Sequence, residues 1–311
     1  MLEFWYIGQI RTYSEERIMN RTRFFRRMIC MLLAAVMLCA GAFAAQAESE
    51  VLNVLLLGTD RRSDKGYGLA DTMIIASVNP AAGSVKLSSI MRDTWVEIDG
   101  HGGEKINAAN KFGGPELAMQ TVNKYFGTDI DKYVLVDMQG FVAIINLIGG
   151  ISVPVTEQEM ANINQQLIWD ALDFELVNSE ELTQFGESVL LNGNQALAYA
   201  RQRVSDSDFK RVNRQYNVFK AMFDEVIHYD LLSLLSIANT MFGYVETNLK
   251  MDECIAIASS VIMSGMESIE QYRLPADGSY TSGKVNGVWR IDPDFEKNAE
   301  LLHAFIYGEQ A

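Results

Sequence analysis

The stretch VLNVLLLGTD, residues 51–60, decides the class of this fold. Val51–Leu57 is apolar apart from Asn53, and it ends in Gly58-Thr59-Asp60. A short apolar run closed by turn residues reads as a strand buried on both faces, with Asp60 delivered to its C-terminal end. Outward from it, Thr72–Val78 and Ser84–Ile90 read as a strand pair, and Asn79-Pro80-Ala81-Ala82-Gly83 supplies their turn. Pro115 to Phe126 has helical spacing, with proline in the first turn and Gly127 after the last. Tyr133–Met138 reads as a strand, Phe141–Leu147 as a helix and Ile151–Val155 as a strand. Residues 156–188 are polar and weakly patterned, and read as a variable insertion with a helix near Gln158–Leu172. Asn194–Arg201, Phe209–Tyr229, Leu231–Tyr244 and Asp252–Met266 have helical character, Tyr272–Leu274 that of a late strand, and Pro293–Tyr307 that of a terminal helix. Strands alternate with helices, so the class is α/β, a sandwich around a central sheet.

The first 47 residues stand apart. Arg21, Arg23, Arg26 and Arg27 precede an uncharged run from Met28 to Ala45, and Ala45-Gln46-Ala47 has the form of a cleavage site. The run is also near the lower limit for a membrane-spanning helix. Cleaved signal and retained anchor are both open, and either one places the following residues outside the cytoplasm. Met19 would begin a more ordinary signal than Met1 does. The expected organisation is a stub with signal or anchor at 1–47 and one extracytoplasmic domain at 48–311.

The whole chain carries a net charge of −14, and without residues 1–47, which hold six Arg and three Glu, the charge becomes −17. That argues against nucleic acid as a partner. Cys254 is the only cysteine after residue 47, so that part forms no internal disulfide. His101, His228 and His303 are scattered, with no metal-ligand spacing and no pairing with a serine nucleophile.

Against this acidic background four arginines fall within fourteen residues: Arg201, Arg203, Arg211 and Arg214. Guanidinium groups offer planar paired donors that match phosphate oxygens. Arg201 and Arg203 would diverge by about 200° on a helix but point the same way on an extended segment. The helix from Asn194 is therefore expected to end near Tyr199. Arg211 and Gln215 lie one helical turn apart near a helix N-terminus, where anions are favoured. A solvated basic face balancing Asp206 and Asp208 is the plain alternative. Asp60 and Asp71 flank a loop rich in glycine and charge, and each taken alone is more often a structural cap. Arg92-Asp93 at a strand end has the look of an internal ion pair, and Lys105 could add a phosphate contact. The apolar residues from Phe219 to Met266 could pack on the sheet or form a slot for a lipid tail; periodicity does not separate the two.

Several stretches together resemble the LytR-CpsA-Psr (LCP) family of bacterial envelope proteins. They are VLLLGTD at 54–60, LADTMIIASVNP at 69–80, VKLSSIMRDTWVEIDG at 85–100, KINAANKFGGPELAMQTVNKYFG at 105–127, DKYVLVDMQGFVAIINLIGGISVPV at 131–155, LNGNQALAYARQR at 191–203 and DFKRVNRQ at 208–215. They stand in family order; residues 229–311 match only loosely. Met91 stands where the family pattern has proline, and Lys210 where it often has glycine. The resemblance implies an αβα sandwich with a central mixed β-sheet at the outer face of the cell membrane. It implies a polyprenyl-pyrophosphate-linked glycopolymer as ligand, its lipid tail in a hydrophobic tunnel. The implied activity is a phosphotransferase moving the glycopolymer phosphate onto a peptidoglycan hydroxyl, with Mg²⁺ (or Mn²⁺). By motif, Asp60 and Asp71 resemble the metal-associated carboxylates. Arg92, Arg201, Arg203 and Arg211 resemble the pyrophosphate clamp, with Gln215, Lys105 and Arg214 as neighbouring contacts. The catalytic set on this reading is Asp71, Arg92, Arg201 and Arg203. A polyprenyl-pyrophosphate hydrolase, or a non-catalytic binder of lipid-linked precursors, are the alternatives.

Overall fold

The computed structural model describes residues 51–61, 66–79, 81–173, 180–202, 208–226, 237, 239–254 and 269–308. Arg203 and the apolar run 28–45 lie outside them, as does much of the expected lipid slot. Among the described residues no helix is long and apolar enough to cross a membrane.

The central sheet is formed by β1 (Leu52–Thr59), β2 (Ala70–Asn79), β3 (Ser84–Ile90), β6 (Lys132–Asp137), β9 (Glu246–Thr247) and β10 (Ile269–Leu274), in the order β10-β3-β2-β1-β6-β9. Between them in the chain come the hairpin β4 (Trp95–Ile98) and β5 (Gly102–Lys105), and helix α1 (Ala108–Phe126). After β6 follow α2 (Met138–Leu147), β7 (Ile151–Val155), α3 (Glu157–Asp173), β8 (Gly186–Leu191), α4 (Gly193–Arg201) and α5 (Asp208–Val226). The hairpin β11 (Tyr280–Val285) and β12 (Val288–Pro293) and helix α6 (Phe295–Tyr307) end the described chain.

The sheet is mixed. β1 runs antiparallel to β2 and parallel to β6, while β3 runs antiparallel to β2 and parallel to β10. Side chains of β1 alternate between two cores. Val54 and Leu56 join α2, α4 and α5 through Ile145, Ala198 and Phe223; Leu55 and Leu57 join α1 and α6 through Val122 and Leu302. Helices on both faces explain why β1 reads as continuously apolar, and they make an αβα sandwich. Cys254 is fully buried in the first of these cores.

Capping explains several element starts. Asp137 ends β6 and caps α2, its Oδ1 accepting from Gly140 N at 2.8 Å. Asn192 and Gln195 form a reciprocal capping box at α4. α1 is interrupted at Gly113 and Gly114, so its second segment starts at Pro115. One expectation changes. α4 does not stop near Tyr199 but reaches Arg201, and Gln202 turns the chain out with φ −50° and ψ 133°. The helix expected near Gln158–Leu172 is α3, which buries Ile163 in the core and packs on α4.

α4 approaches α2 closely at Gly193, where an added Cβ would stand 2.3 Å from the Val142 carbonyl oxygen. Gly193→Ala must push the two helices apart, an overpacking cost of about 1–3 kcal/mol. We expect its urea midpoint to fall accordingly; an unchanged midpoint would mean that this contact yields easily.

Candidate functional site

The sheet register brings charge to one edge. β1 and β6 are parallel, so their C-terminal ends coincide, with Thr59 opposite Asp137. β2 starts at that same edge and β3 ends there, with Ile74 opposite Ser89. Asp60, Asp71, Arg92 and Asp137 therefore gather although they span almost eighty residues. Between β1 and β2 the register slips: Gly58 faces Thr72 and Thr59 faces Ala70. Asp71 is the extra residue of this bulge, a device that re-aims a side chain beside a site. A Cβ on Gly58 would stand 3.0 Å from that of Thr72, so the two strands are close here.

A cavity of about 450 Å³ opens at this edge, with Asp60, Asp71, Arg201, Arg211 and Gln215 in its wall. Both halves of the sequence pattern thus reach one space. α4 brings Arg201 in its last turn, where the helix dipole favours a cation. Arg211 and Gln215 come from the N-terminal part of α5. Gln215 Nε2 donates to Thr72 Oγ1 at 2.9 Å, tying α5 to β2. Arg92 is not in the wall but stands behind it, its Nη1 2.5 Å from Asp71 Oδ1.

Two further members of the expected set stand elsewhere. Lys105 pairs with Asp93, Nζ to Oδ1 at 2.7 Å, outside the cavity wall. Arg214 faces the other side of α5, where Nη2 donates to the Gln202 carbonyl at 2.9 Å and Nη1 approaches Glu159 Oε1 at 3.4 Å. Arg203 is outside the described residues. The pairing in the Arg92-Asp93 dipeptide is crossed, with Arg92 on Asp71 and Asp93 on Lys105.

The wall also contains residues that the sequence did not single out: Thr59, Thr72, Asp137, Met138, Phe141, Gln166 and Trp169. Behind them Asp170, only 3 % exposed, forms a short ion pair with Arg201 and accepts from Gln166 Nε2 at 2.8 Å. Asp137 could have been found by the argument that found Asp60, since both end an apolar strand. Asp170 had no such signal, because its partner comes from another helix. At the rim Arg61 Nη2 lies 3.2 Å from Asp137 Oδ2, and Tyr67 Oη donates to Glu246 Oε1 at 3.1 Å. Burial, and then the charge of Glu246, raises the Tyr67 pKa, so its phenol stays protonated.

Asn107 and Asn110 hold the loop after Asp60. The Asn107 carbonyl accepts from Ala70 N at 3.2 Å, and Asn110 Nδ2 donates to the Gly68 carbonyl at 2.8 Å. A Cβ on Gly68 would stand 2.6 Å from Asp60 Oδ1 and 2.7 Å from Thr59 Oγ1, so glycine keeps room beside two converging oxygens. The Thr59 hydroxyl is buried and makes no hydrogen bond within the described residues. Among those residues no cluster of three or more His, Cys, Asp or Glu could hold a metal unaided. Two hard carboxylates in the wall of one cavity suit a small oxygen-loving cation that brings further ligands with its substrate.

Residues 35–303 match the LytR_cpsA_psr family. The polyisoprenyl-teichoic acid–peptidoglycan teichoic acid transferase TagU of Halalkalibacterium halodurans is 32% identical over 256 residues, which cover 80% of this chain and 76% of that one. Crystalline B. subtilis TagV is 28% identical with a TM-score of 0.66, covering 85% of this chain and 100% of its own. TagT bound to LIIa-WTA is 25% identical with a TM-score of 0.66, covering 83% and 89%. With 269 of 311 residues matched to that pattern, the chain belongs to the LytR_cpsA_psr family.

Proposed function

We propose that this chain transfers a glycopolymer phosphate from a polyprenyl-pyrophosphate carrier to a hydroxyl of peptidoglycan, at the outer face of the cytoplasmic membrane. The carrying observation is the single cavity that receives Asp60 and Asp71 from the sheet edge and Arg201, Arg211 and Gln215 from two helices. The names of the relatives support the substrate class: TagU is a teichoic acid transferase, and TagT was solved with LIIa-WTA. The apolar run at 28–45 serves as signal or anchor on this reading.

The acceptor hydroxyl attacks the phosphorus that carries the polymer. A new P–O bond forms, the bridging P–O bond of the pyrophosphate breaks, and polyprenyl phosphate leaves with the bond's electron pair. A carboxylate of the cavity takes the hydroxyl proton. No serine or cysteine nucleophile is needed. Arg201 and Arg211 neutralise charge on the phosphoryl oxygens, and they do so best where water is excluded. Asp170 fixes Arg201, and Arg92 fixes Asp71, so little reorganisation is left for the reaction itself. Arg203 is assigned to the same clamp from its motif. Asp60 and Asp71 would hold Mg²⁺ or Mn²⁺, which supplies further charge neutralisation when bound.

The test uses the full chain in detergent micelles with a synthetic polyprenyl-pyrophosphate oligosaccharide, nascent peptidoglycan and Mg²⁺. Wild type should ligate the oligosaccharide to the wall. Arg201→Ala should lose on the order of 2–4 kcal/mol of transition-state stabilisation, about a hundredfold in kcat. Ligation by Arg201→Ala at the wild-type rate would sink the mechanism. Asp170→Asn should lower kcat with little change in the donor KM, since the clamp is loosened rather than removed; an effect confined to protein stability would make Asp170 a packing residue. Chelation of divalent cations should stop transfer and Mg²⁺ should restore it, with Asp60→Asn needing roughly tenfold more Mg²⁺ for half-maximal rate. Full transfer in excess chelator would remove the metal from this account.

A further inference from the structure

A second cavity, of about 460 Å³, lies on another face of the helical layer that builds the first. α3 gives it Glu159, α4 gives Tyr199, and α5 gives Lys210, Asn213, Arg214 and Asn217. The same three helices give the first cavity Gln166, Arg201, Arg211 and Gln215. The helical repeat explains the division on α5. Arg211 and Gln215 lie about 40° apart around the axis, while Asn213 and Asn217 are turned well away from both.

The charges of the second cavity cancel, Lys210 and Arg214 standing against Glu159 and Glu187. Arg214 is engaged by Glu159 and by the Gln202 carbonyl, so its guanidinium is not laid out as an anion seat. A polyanion therefore gains little here. The other polar groups are uncharged: the amides of Asn213 and Asn217 and the hydroxyls of Thr156 and Tyr199. The Tyr199 hydroxyl accepts from Asn217 Nδ2 at 3.0 Å. Tyr199 itself is only 1 % exposed, so its hydroxyl serves to hold the Asn217 amide at the cavity wall. Phe185 lines the same cavity and is 56 % exposed, a large apolar ring left open to water. Amides and hydroxyls match the paired donors and acceptors of sugar hydroxyls, and an open aromatic face suits the C–H face of a sugar ring. Neutral, hydroxyl-rich and ring-shaped describes a saccharide chain better than a phosphate polymer.

We propose that this second cavity binds the acceptor, a peptidoglycan glycan strand, while the first holds the phosphorylated donor. The proposal rests on the transferase reading above. The carbonyl that holds Arg214 belongs to Gln202, next in the chain to Arg201. Tyr199 lines the second cavity and Ala200 the first, so the two cavities are one residue apart along the backbone there. They are separated by one helix thickness, roughly 10–12 Å, which a strand of several sugars can span.

The test titrates the full chain in detergent micelles with a soluble, uncross-linked peptidoglycan glycan strand bearing a fluorophore, with no donor present. Saturable binding is expected, weakened about tenfold by Phe185→Ala and by Asn213→Ala. Both positions are exposed, so neither change threatens the fold. An excess of poly(glycerol phosphate) should not displace the strand. In the transfer assay the same variants should raise the KM for the strand and leave the KM for the donor in place. No strand binding by wild type, equal binding by both variants, or displacement by the phosphate polymer would each overturn the proposal. Because binding is read without donor, a chain that binds the strand at this cavity but transfers nothing counts against the transferase alone.

Discussion

Strand β1 bonds to β2 on one side and to β6 on the other, antiparallel and parallel respectively. This mixed pairing decides where charge can sit. Parallel strands end together, and the antiparallel neighbour begins where they end. Four polar positions that are distant in sequence are thereby brought to one edge of an otherwise dry sheet. Both faces of that sheet are covered by helices, so the edge is where carboxylates and guanidinium groups can meet solvent and ligand. The bulge at Asp71 adds a local adjustment. One extra residue turns this carboxylate toward Arg92 and the cavity without disturbing the pairing of Leu52–Gly58.

The helical layer completes what the sheet begins. Arg201 is set by three features acting together: the last turn of α4, the buried Asp170 of α3, and the close approach of α4 to α2 at Gly193. A guanidinium held in this way is prepared for an anion before the anion arrives, which lowers the cost of binding. The arrangement also couples stability to function. Asp170 and Arg201 are each costly to bury alone, so removing one leaves the other's charge poorly compensated.

Five strands of the sheet were legible because they are short apolar runs bounded by glycine, proline and aspartate, as in VLNVLLLGTD; β9, two residues long, offers no such run. The hairpins β4–β5 and β11–β12 were not legible either. The first is four residues to a strand, and the second is largely exposed, so neither has the apolar pattern that marks a buried strand. The residues of α3 looked like an insertion because Glu, Gln and Asn dominate the segment; Glu159 and Gln166 line the two cavities, Gln158 bonds to Asn162, and Gln166 bonds to Asp170. At the site, Asp60, Asp71, Arg201, Arg211 and Gln215 were visible as residue types at strand ends and at one-turn spacing. Arg214 and Gln215 are neighbours in the RxxRQ stretch, yet a step of 100° separates them on a helix, and they face different cavities. Lys105 was legible as a cation but not as the partner of Asp93, because that pairing depends on where β5 folds back. Asp170 shows the limit most plainly, since a carboxylate in a polar helix gives no sign that another helix will bury it.

Cys254 is the one thiol beyond residue 47, and it is fully enclosed by the core. Its burial leaves no thiol on the described surface to be oxidised, and no second cysteine follows residue 47 with which to cross-link. A domain with a single, buried thiol has no disulfide to form, so its folding needs no oxidant and its stability does not depend on the redox poise of its surroundings. Among the described residues the same enclosure leaves no thiol open to thiol reagents. A single cysteine introduced at either cavity would therefore be the sole reactive handle there, which opens both to site-selective labelling.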